Sequence, residues 1–457
     1  MGKLFILLVL FSAYFGYKIK TSLFSTSPLP PKLDEIWWGP GKPGSIKSVV
    51  KPFTISVPDS VLDDLRWRLE HHRPFTPPLE GVQQQYGMNT KLLKEVVDYW
   101  RTKYNWRSRE TFLNKFPQFT VNIQGLDIHY IHVKPKVAEG VKILPLLILH
   151  GWPGSVREFY EIIPILTTPQ VGQDFVFEII APHIPGYGFS KPAVRPGLSP
   201  DHIALVLKNM MNHLGFKKFY TQGGDFGAII LQNMAILYPE VILGYHSNMC
   251  LVSSPLSFFK QVLASFLPSF PSWYVRPEHY DRLFPVSEYF MARLKENGYL
   301  HEQATKPDTL GVGINDSPVG LAAYILEKFT TGTNKTWQLR EDGGLLEYFT
   351  YDDLLDNIMF YWITQSATTS FRLYSETFNR AYMGKGILSQ PIKVPTACAR
   401  FSNDFYTADG MLKDVHINLI QLNDYEGGHF AAMQLPKILA EDIYNAVRLF
   451  EDNKRSK

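Results

Sequence analysis

The decapeptide TQGGDFGAII (221–230) sets Asp225 at the centre of a small-x-acid-x-small spacing. A tight strand-to-helix turn with that spacing exposes its central side chain, and small neighbours avoid a clash with the backbone. A carboxylate held there needs no activation to attack an sp³ carbon, and the product of the attack is an ester. The same pattern also fits an ordinary helix N-cap, where aspartate is common. Three other stretches weigh against the cap. HGWPG (150–154) directly follows the apolar run LLILH. A loop in that position offers a backbone N–H from Trp152, and the residue after the nucleophile, Phe226, offers a second. Together they would stabilise a developing oxyanion. GGHFAAMQLP (427–436) carries His429 in a glycine-flanked loop suited to a general base. SNDFY (402–406) puts Asp404 25 residues before His429, where it could orient the imidazole. Asp409 and Asp414 follow on the same loop as rival acids. The chain order Asp225, Asp404, His429 is nucleophile, acid, base.

A constellation spread over two hundred residues needs a scaffold. ILPLLILH (143–150), FVFEIIAP (175–182), FKKFYTQG (216–223) and VILGYHSNM (241–249) read as buried strands, with helical patterns such as DHIALVLKNMMNHLG (201–215) between them. That alternation predicts a mostly parallel sheet with crossover helices. QFTVNIQGLDIHYIHV (118–133) alternates about Gln124-Gly125 and reads as a hairpin. Residues 57–114 carry a helical pattern, with Asp59 or Ser60 as cap candidates. The strand rhythm stops from about Ser254 to Gly386, where aromatic-rich helical segments take over. It returns with IKVPTACARF (392–401) and HINLIQL (416–422). Before all of this, Trp37 and Trp38 precede a Gly/Pro turn and read as a clamp onto the domain rather than a ligand site.

At 457 residues the chain fits one large domain with appendages, and 45% hydrophobic residues are ample for its core. A formal charge of +3 gives no reason to expect nucleic acid as a partner. Two cysteines, Cys250 and Cys398, are too few for a disulfide framework, and their scarcity suits a reducing compartment. The N-terminus differs from the rest. Leu4 to Tyr17 carries no charge and is flanked by Lys3, Lys18 and Lys20. An uncleaved membrane anchor, a signal peptide and an interfacial helix all fit a run of that length. The missing A-x-A-like site and the excess of lysines after the run favour an anchor with the following chain in the cytosol.

The stretches WWGPG, FTPPLE, GLDIHYIHVKP, HGWPGS, IPGYGFS, QGGDFG, TKPDTLGVGINDSPVGLAAYILEKF and GGHFAA together resemble the microsomal epoxide hydrolase family nearly end to end. The juvenile hormone epoxide hydrolases of insects are one branch of it. The resemblance implies an α/β-hydrolase fold: an anchor over 1–22, a wrapping arm over 23–117, core over 118–253 and 387–457, and a helical lid over 254–386. It implies hydrolysis of apolar epoxides to diols at an endoplasmic-reticulum membrane. Its partners are a lipophilic epoxide, water and membrane lipid, with no metal and no organic cofactor. By motif match, Asp225 is the nucleophile and His429 the base. Tyr299 in NGYLHEQATKP and Tyr374 in FRLYSE hold the positions of two phenols that protonate the epoxide oxygen. Two positions depart from the family pattern. Phe226 replaces a tryptophan, and Asp404 stands where mammalian members carry glutamate, so its contact with His429 depends on the backbone making up one methylene. Haloalkane dehalogenation uses the same Asp–His core, but Phe226 lacks the indole N–H that would hold a halide. A non-catalytic, membrane-tethered binder of apolar ligands is the alternative from another class, and the full set of reactive residues argues against it. Substrate choice between a terpenoid epoxide and general xenobiotic epoxides stays open at this level.

Overall fold

The computed structural model describes residues 31–44, 48–266 and 274–455, so the expected anchor over 1–22 lies outside the described residues. Among the described residues no helix is long and apolar enough to cross a membrane. Nine strands form one sheet: β1 (Lys51–Phe53), β2 (Gln118–Ile123), β3 (Leu126–Val133), β4 (Lys142–Leu149), β5 (Phe175–Pro182), β6 (Phe219–Gly223), β7 (Ile242–Ser247), β8 (Thr396–Phe401) and β9 (Leu419–Tyr425). Their spatial order is β1-β2-β3-β5-β4-β6-β7-β8-β9. The pairs from β1 to β5 by way of β2 and β3 are antiparallel, and every pair from β5 to β9 is parallel. β6 and β8 are buried at every residue, as strands covered on both faces must be. β2 and β3 form the hairpin expected about Gln124-Gly125, both of which take positive φ (51° and 87°).

The helical pattern over 57–114 resolves into three helices, Asp59–Glu70, Thr90–Thr102 and Trp106–Leu113. Pro58 occupies the first N-cap, so neither Asp59 nor Ser60 caps it; Asp59 sits in the first turn, where its charge complements the helix dipole. Ahead of them β1 adds this segment to the sheet edge, a strand too short to leave a periodic signal. Trp38 is almost fully buried and its backbone N–H donates to the Gln124 backbone carbonyl at 2.8 Å, so this tryptophan does clamp the N-terminal segment to the hairpin. Between β7 and β8 the described chain is helical, including Pro255–Phe266, Val286–Glu296, Gly298–Thr305, Pro318–Thr333, Tyr351–Thr364 and Ala367–Thr377.

A buried charge cluster ties three of these parts together. Asp356, on the Tyr351–Thr364 helix, accepts from Arg157 Nε at 3.1 Å, Arg109 Nε at 2.9 Å and Tyr104 Oη at 3.0 Å. Arg157 and Asp356 are fully buried, so each ion is kept in the interior only by its partners. The cysteines correct an expectation. Cys250 and Cys398 are joined in a disulfide. Parallel pairing of β7 with β8 sets Ser247 opposite Cys398, and the chain leaving β7 brings Cys250 back over that strand. Cysteine scarcity therefore gives no support to a reducing compartment.

Candidate active site

Asp225 begins the helix Asp225–Leu237 directly after β6, with Gly224 as N-cap. Its φ of +48° is the strained, left-handed geometry of an exposed elbow, rare for a residue with a Cβ. The helix can sit this close to β4 only because residue 227 has no side chain. A Cβ on Gly227 would lie 2.0 Å from the Leu149 carbonyl oxygen. The cap alternative is thus set aside: Gly224 is the N-cap, and Asp225 is the first residue of the helix. Instead its Oδ1 accepts the Trp152 N–H at 2.8 Å, and the Phe226 N–H also bonds the carboxylate. Both expected donors converge on one carboxylate.

His429 lies between two carboxylates. Its Nδ1 is 2.9 Å from Asp404 Oδ1, and its Nε2 is 3.6 Å from Asp225 Oδ2. Its backbone N–H donates to the Gly332 carbonyl at 2.7 Å, which ties the loop to the end of the Pro318–Thr333 helix. The Phe405 N–H holds Asp404 Oδ1 at 2.7 Å from the other side. Asp404 therefore reaches the imidazole despite its short side chain. The rival acids go elsewhere: Asp409 pairs with Arg400 at 2.6 Å, and Asp414 pairs with Lys260 and Ser257.

The charges reinforce one another. Burial alone would depress His429, but the charge and hydrogen bond of Asp404, then Asp225 and Glu158, carry it up to about 10. Burial pushes Asp404 up, yet the charge and hydrogen bond of His429 outweigh that and hold it below the usual carboxylate value. Burial raises the Asp225 carboxyl above its ordinary value, against the opposing pull of His429 and the two N–H donors. His150 is buried and driven down to about 4, so it is neutral. Its Nε2 accepts the Ile184 N–H at 3.2 Å, which leaves Nδ1 to donate to the Gly151 carbonyl at 2.9 Å.

The two tyrosines stand over Trp152. Tyr299 stacks on its indole with centroids 5.1 Å apart, and Tyr374 meets the same ring edge-on at 5.9 Å. The phenol rings lie 6.0 Å apart and share a hydrogen bond. Burial, with the Asp225 charge adding to it, raises both phenols above their ordinary value, so both keep their protons at neutral pH. The Phe226 ring packs edge-on against Tyr374 at 4.6 Å, a contact the sequence alone did not suggest. A further residue went unnoticed in the sequence. Glu158 lines one cavity with Asp225, His429, His150 and Asn248.

An aspartate at a strained elbow, two backbone donors and a His–Asp pair on a nine-stranded, mostly parallel sheet define an α/β-hydrolase fold with a carboxylate at its elbow. Family models agree with that class: residues 50–159 match the epoxide hydrolase N terminus and residues 145–335 the alpha/beta hydrolase fold. Juvenile hormone epoxide hydrolase 1 of Ctenocephalides felis is 50% identical over 420 residues, covering 92% of this chain and 90% of that protein. Epoxide hydrolase 1 of Sus scrofa is 41% identical over 427 residues, covering 92% and 93%. The crystal structure of juvenile hormone epoxide hydrolase from the silkworm Bombyx mori superposes with a TM-score of 0.90 at 46% identity, covering 92% of this chain and all of that one. The chain belongs to the epoxide hydrolase family and is an epoxide hydrolase.

Proposed function

We propose that the enzyme opens its epoxide through a covalent ester on Asp225. The observation that carries this reading is the divided use of that carboxylate. Trp152 holds Oδ1, while Oδ2 faces His429 at 3.6 Å. Oδ2 attacks an epoxide carbon, and Tyr299 and Tyr374 supply the proton that the opening oxygen needs. Oδ1 becomes the ester carbonyl oxygen, already between the Trp152 and Phe226 N–H groups that stabilise it when water adds. His429, oriented by Asp404, takes the proton from that water. The diol leaves and Asp225 is regenerated.

The test is a single addition of an apolar epoxide to the His429→Gln variant, followed by mass spectrometry of the intact protein. The expected result is a substrate-sized adduct that maps to Asp225. Continued diol production with no adduct would overturn the covalent route.

As substrate we propose a terpenoid epoxy-ester of the juvenile hormone kind. Proteins named for that hormone, from Ctenocephalides felis, Bombyx mori and Manduca sexta, are 45–50% identical to this chain, against 41% for the Sus scrofa enzyme. A panel of terpenoid and simple aryl epoxides ranked by kcat/KM tests it, and a preference for the aryl compounds would reject it. We further propose that residues 1–22 anchor the protein in the endoplasmic-reticulum membrane with the catalytic part in the cytosol. The uncharged run Leu4–Tyr17 and the lysines after it support this. Deleting 1–22 is expected to move the protein out of the membrane fraction.

A further inference from the structure

Glu158 is the one carboxylate beside the nucleophile to which the reading above gives no task. It sits on the short 3₁₀ turn Val156–Phe159, which Ser155 caps by accepting the Arg157 N–H at 3.2 Å. Its neighbours are immobilised. Arg157 is locked to Asp356, Asp353 and Glu161, and Phe159 is buried in the core. The carboxyl between them folds over the Gly154 backbone; a Cβ on Gly154 would lie 1.5 Å from Glu158 Oε1. That glycine therefore makes room for an acid. Yet among the described residues the Glu158 side chain has no hydrogen bond and no ion pair, although it is only partly accessible. Its electrostatic neighbours are His429 and Asp225.

The cavity it shares with Asp225 and His429 holds about 20 Å³ in which a water centre fits. That is room for about one water, which needs two to four polar partners to stay. His429 Nε2 is one partner. An inward carboxyl with unused acceptor capacity is the natural second.

We propose that Glu158 holds the water that cleaves the Asp225 ester, accepting one of its hydrogens while His429 takes the other. The inference rests on the covalent route proposed above. In this step the water oxygen bonds to Asp225 Cγ and the bond from Cγ to Oδ2, the oxygen that bridges to the substrate carbon and leaves with the diol, breaks. The proton on His429 passes to the departing alkoxide and completes the diol. The second water hydrogen remains on the regenerated Asp225 carboxyl, and its loss restores the phenol deprotonated when the epoxide opened. No external oxidant or reductant is needed.

The site also changes charge at the right moment. In the resting enzyme burial, opposed by His429 and reinforced by the Asp225 charge, lifts Glu158 to about 8. The other groups facing it are neutral: His150 on the same cavity wall, and Tyr361, whose hydroxyl donates to the Gly154 carbonyl at 2.7 Å. Esterification removes the Asp225 charge. That lowers the hold on the Glu158 proton and on the His429 proton together, which leaves both better acceptors for the incoming water.

The experiment compares wild type, Glu158→Gln and Glu158→Asp in single-turnover quench and intact-mass measurements, with His429→Gln as reference. Glu158→Gln is expected to form the ester at the wild-type rate within about threefold. Its ester hydrolysis is expected to slow on the order of 10–100-fold, so adduct accumulates and kcat falls more than kcat/KM. Glu158→Asp, which draws the acceptor back by a methylene, should fall between the two. Wild-type ester hydrolysis in Glu158→Gln, or equal slowing of both steps in both variants, would overturn the assignment. Adduct in His429→Gln with no effect at Glu158 rejects this inference alone. No adduct in His429→Gln removes the covalent route and this inference with it.

Discussion

The backbone N–H of Trp152 donates to Oδ1 of Asp225 at 2.8 Å in the resting enzyme. Under the proposed covalent route, the oxyanion site is therefore already filled by the attacking carboxylate before substrate arrives. That route leaves only the other oxygen to attack an epoxide, and the proposed ester has its carbonyl in position for the second step. Donors that need not reorganise are the basis of strong transition-state stabilisation. The strained φ at Asp225 is a stability cost consistent with holding the side chain in this orientation.

Replacing Asp225 with asparagine keeps the size and the hydrogen bond from Trp152 but removes the negative charge that attacks carbon. Turnover of the Asp225→Asn variant is expected to fall to background, and no adduct should appear in intact-mass spectra. Residual wild-type activity would require another nucleophile.

The phenols of Tyr299 and Tyr374 are held protonated by burial and by the Asp225 charge. General acid catalysis is typically worth about 10²–10⁴-fold. Tyr299→Phe and Tyr374→Phe should each slow ester formation, and the double variant should lose about 10²-fold or more. Ester hydrolysis, measured after pre-loading, should change little. Unaltered diol formation in the double variant would remove the proton-donor role.

Asp404 and His429 give a pH signature with a definite sign. His429 is raised to about 10 in the folded protein, above the ~6.5 of an unfolded histidine. Its contribution to stability is thus complete below about pH 6.5 and is lost as pH rises through about 10. Asp404→Asn removes the largest favourable partner of the imidazolium. The wild-type advantage in Tm over Asp404→Asn is therefore expected to be large at pH 6 and to shrink toward pH 10. A constant gap across that range would mean that the pair is not charged as described. In kinetics, Asp404→Asn should spare ester formation and slow ester hydrolysis.

The elbow aspartate, the histidine beside it and the sheet were legible because each leaves a local mark. Glycines at fixed offsets reveal Asp225, a Gly-flanked histidine after the last strand reveals His429, and apolar runs reveal buried strands. Boundaries were less secure where polar ends trail off: the strand expected from 216 begins at Phe219, because Lys217 and Lys218 are exposed. Tyr299 and Tyr374 left no mark among 24 tyrosines and came only with the family resemblance. Glu158 was invisible for another reason. Its position on a one-turn element has no periodicity, and its meaning depends on contacts with Gly154 and His429, four and 271 residues away. The Cys250–Cys398 bridge likewise depends on β7 and β8 being neighbours across a helical insertion of more than a hundred residues.

The Asp356 cluster connects that unreadable part to stability. Asp356 is fully buried and accepts from Arg157, Arg109 and Tyr104, which reach it from the loop after β4 and from the N-terminal segment. Removing one partner of a buried ion pair leaves the other charge without compensation and typically costs about 3–5 kcal/mol. Asp356→Ala takes from Arg109 its nearest carboxylate and from the fully buried Arg157 one of three, leaving it Asp353 and Glu161. A loss of that order is expected in urea unfolding. The exposed Arg66–Asp63 pair is the contrast, with side chains 63% and 66% accessible. Asp63→Ala should change stability by about 0.5 kcal/mol or less. Because Arg157 precedes Glu158, Asp356→Ala should also slow ester hydrolysis at temperatures where the variant is still folded. If Asp356→Ala proves no more destabilising than Asp63→Ala, the cluster is not what holds the N-terminal segment, the Tyr351–Thr364 helix and the loop after β4 together.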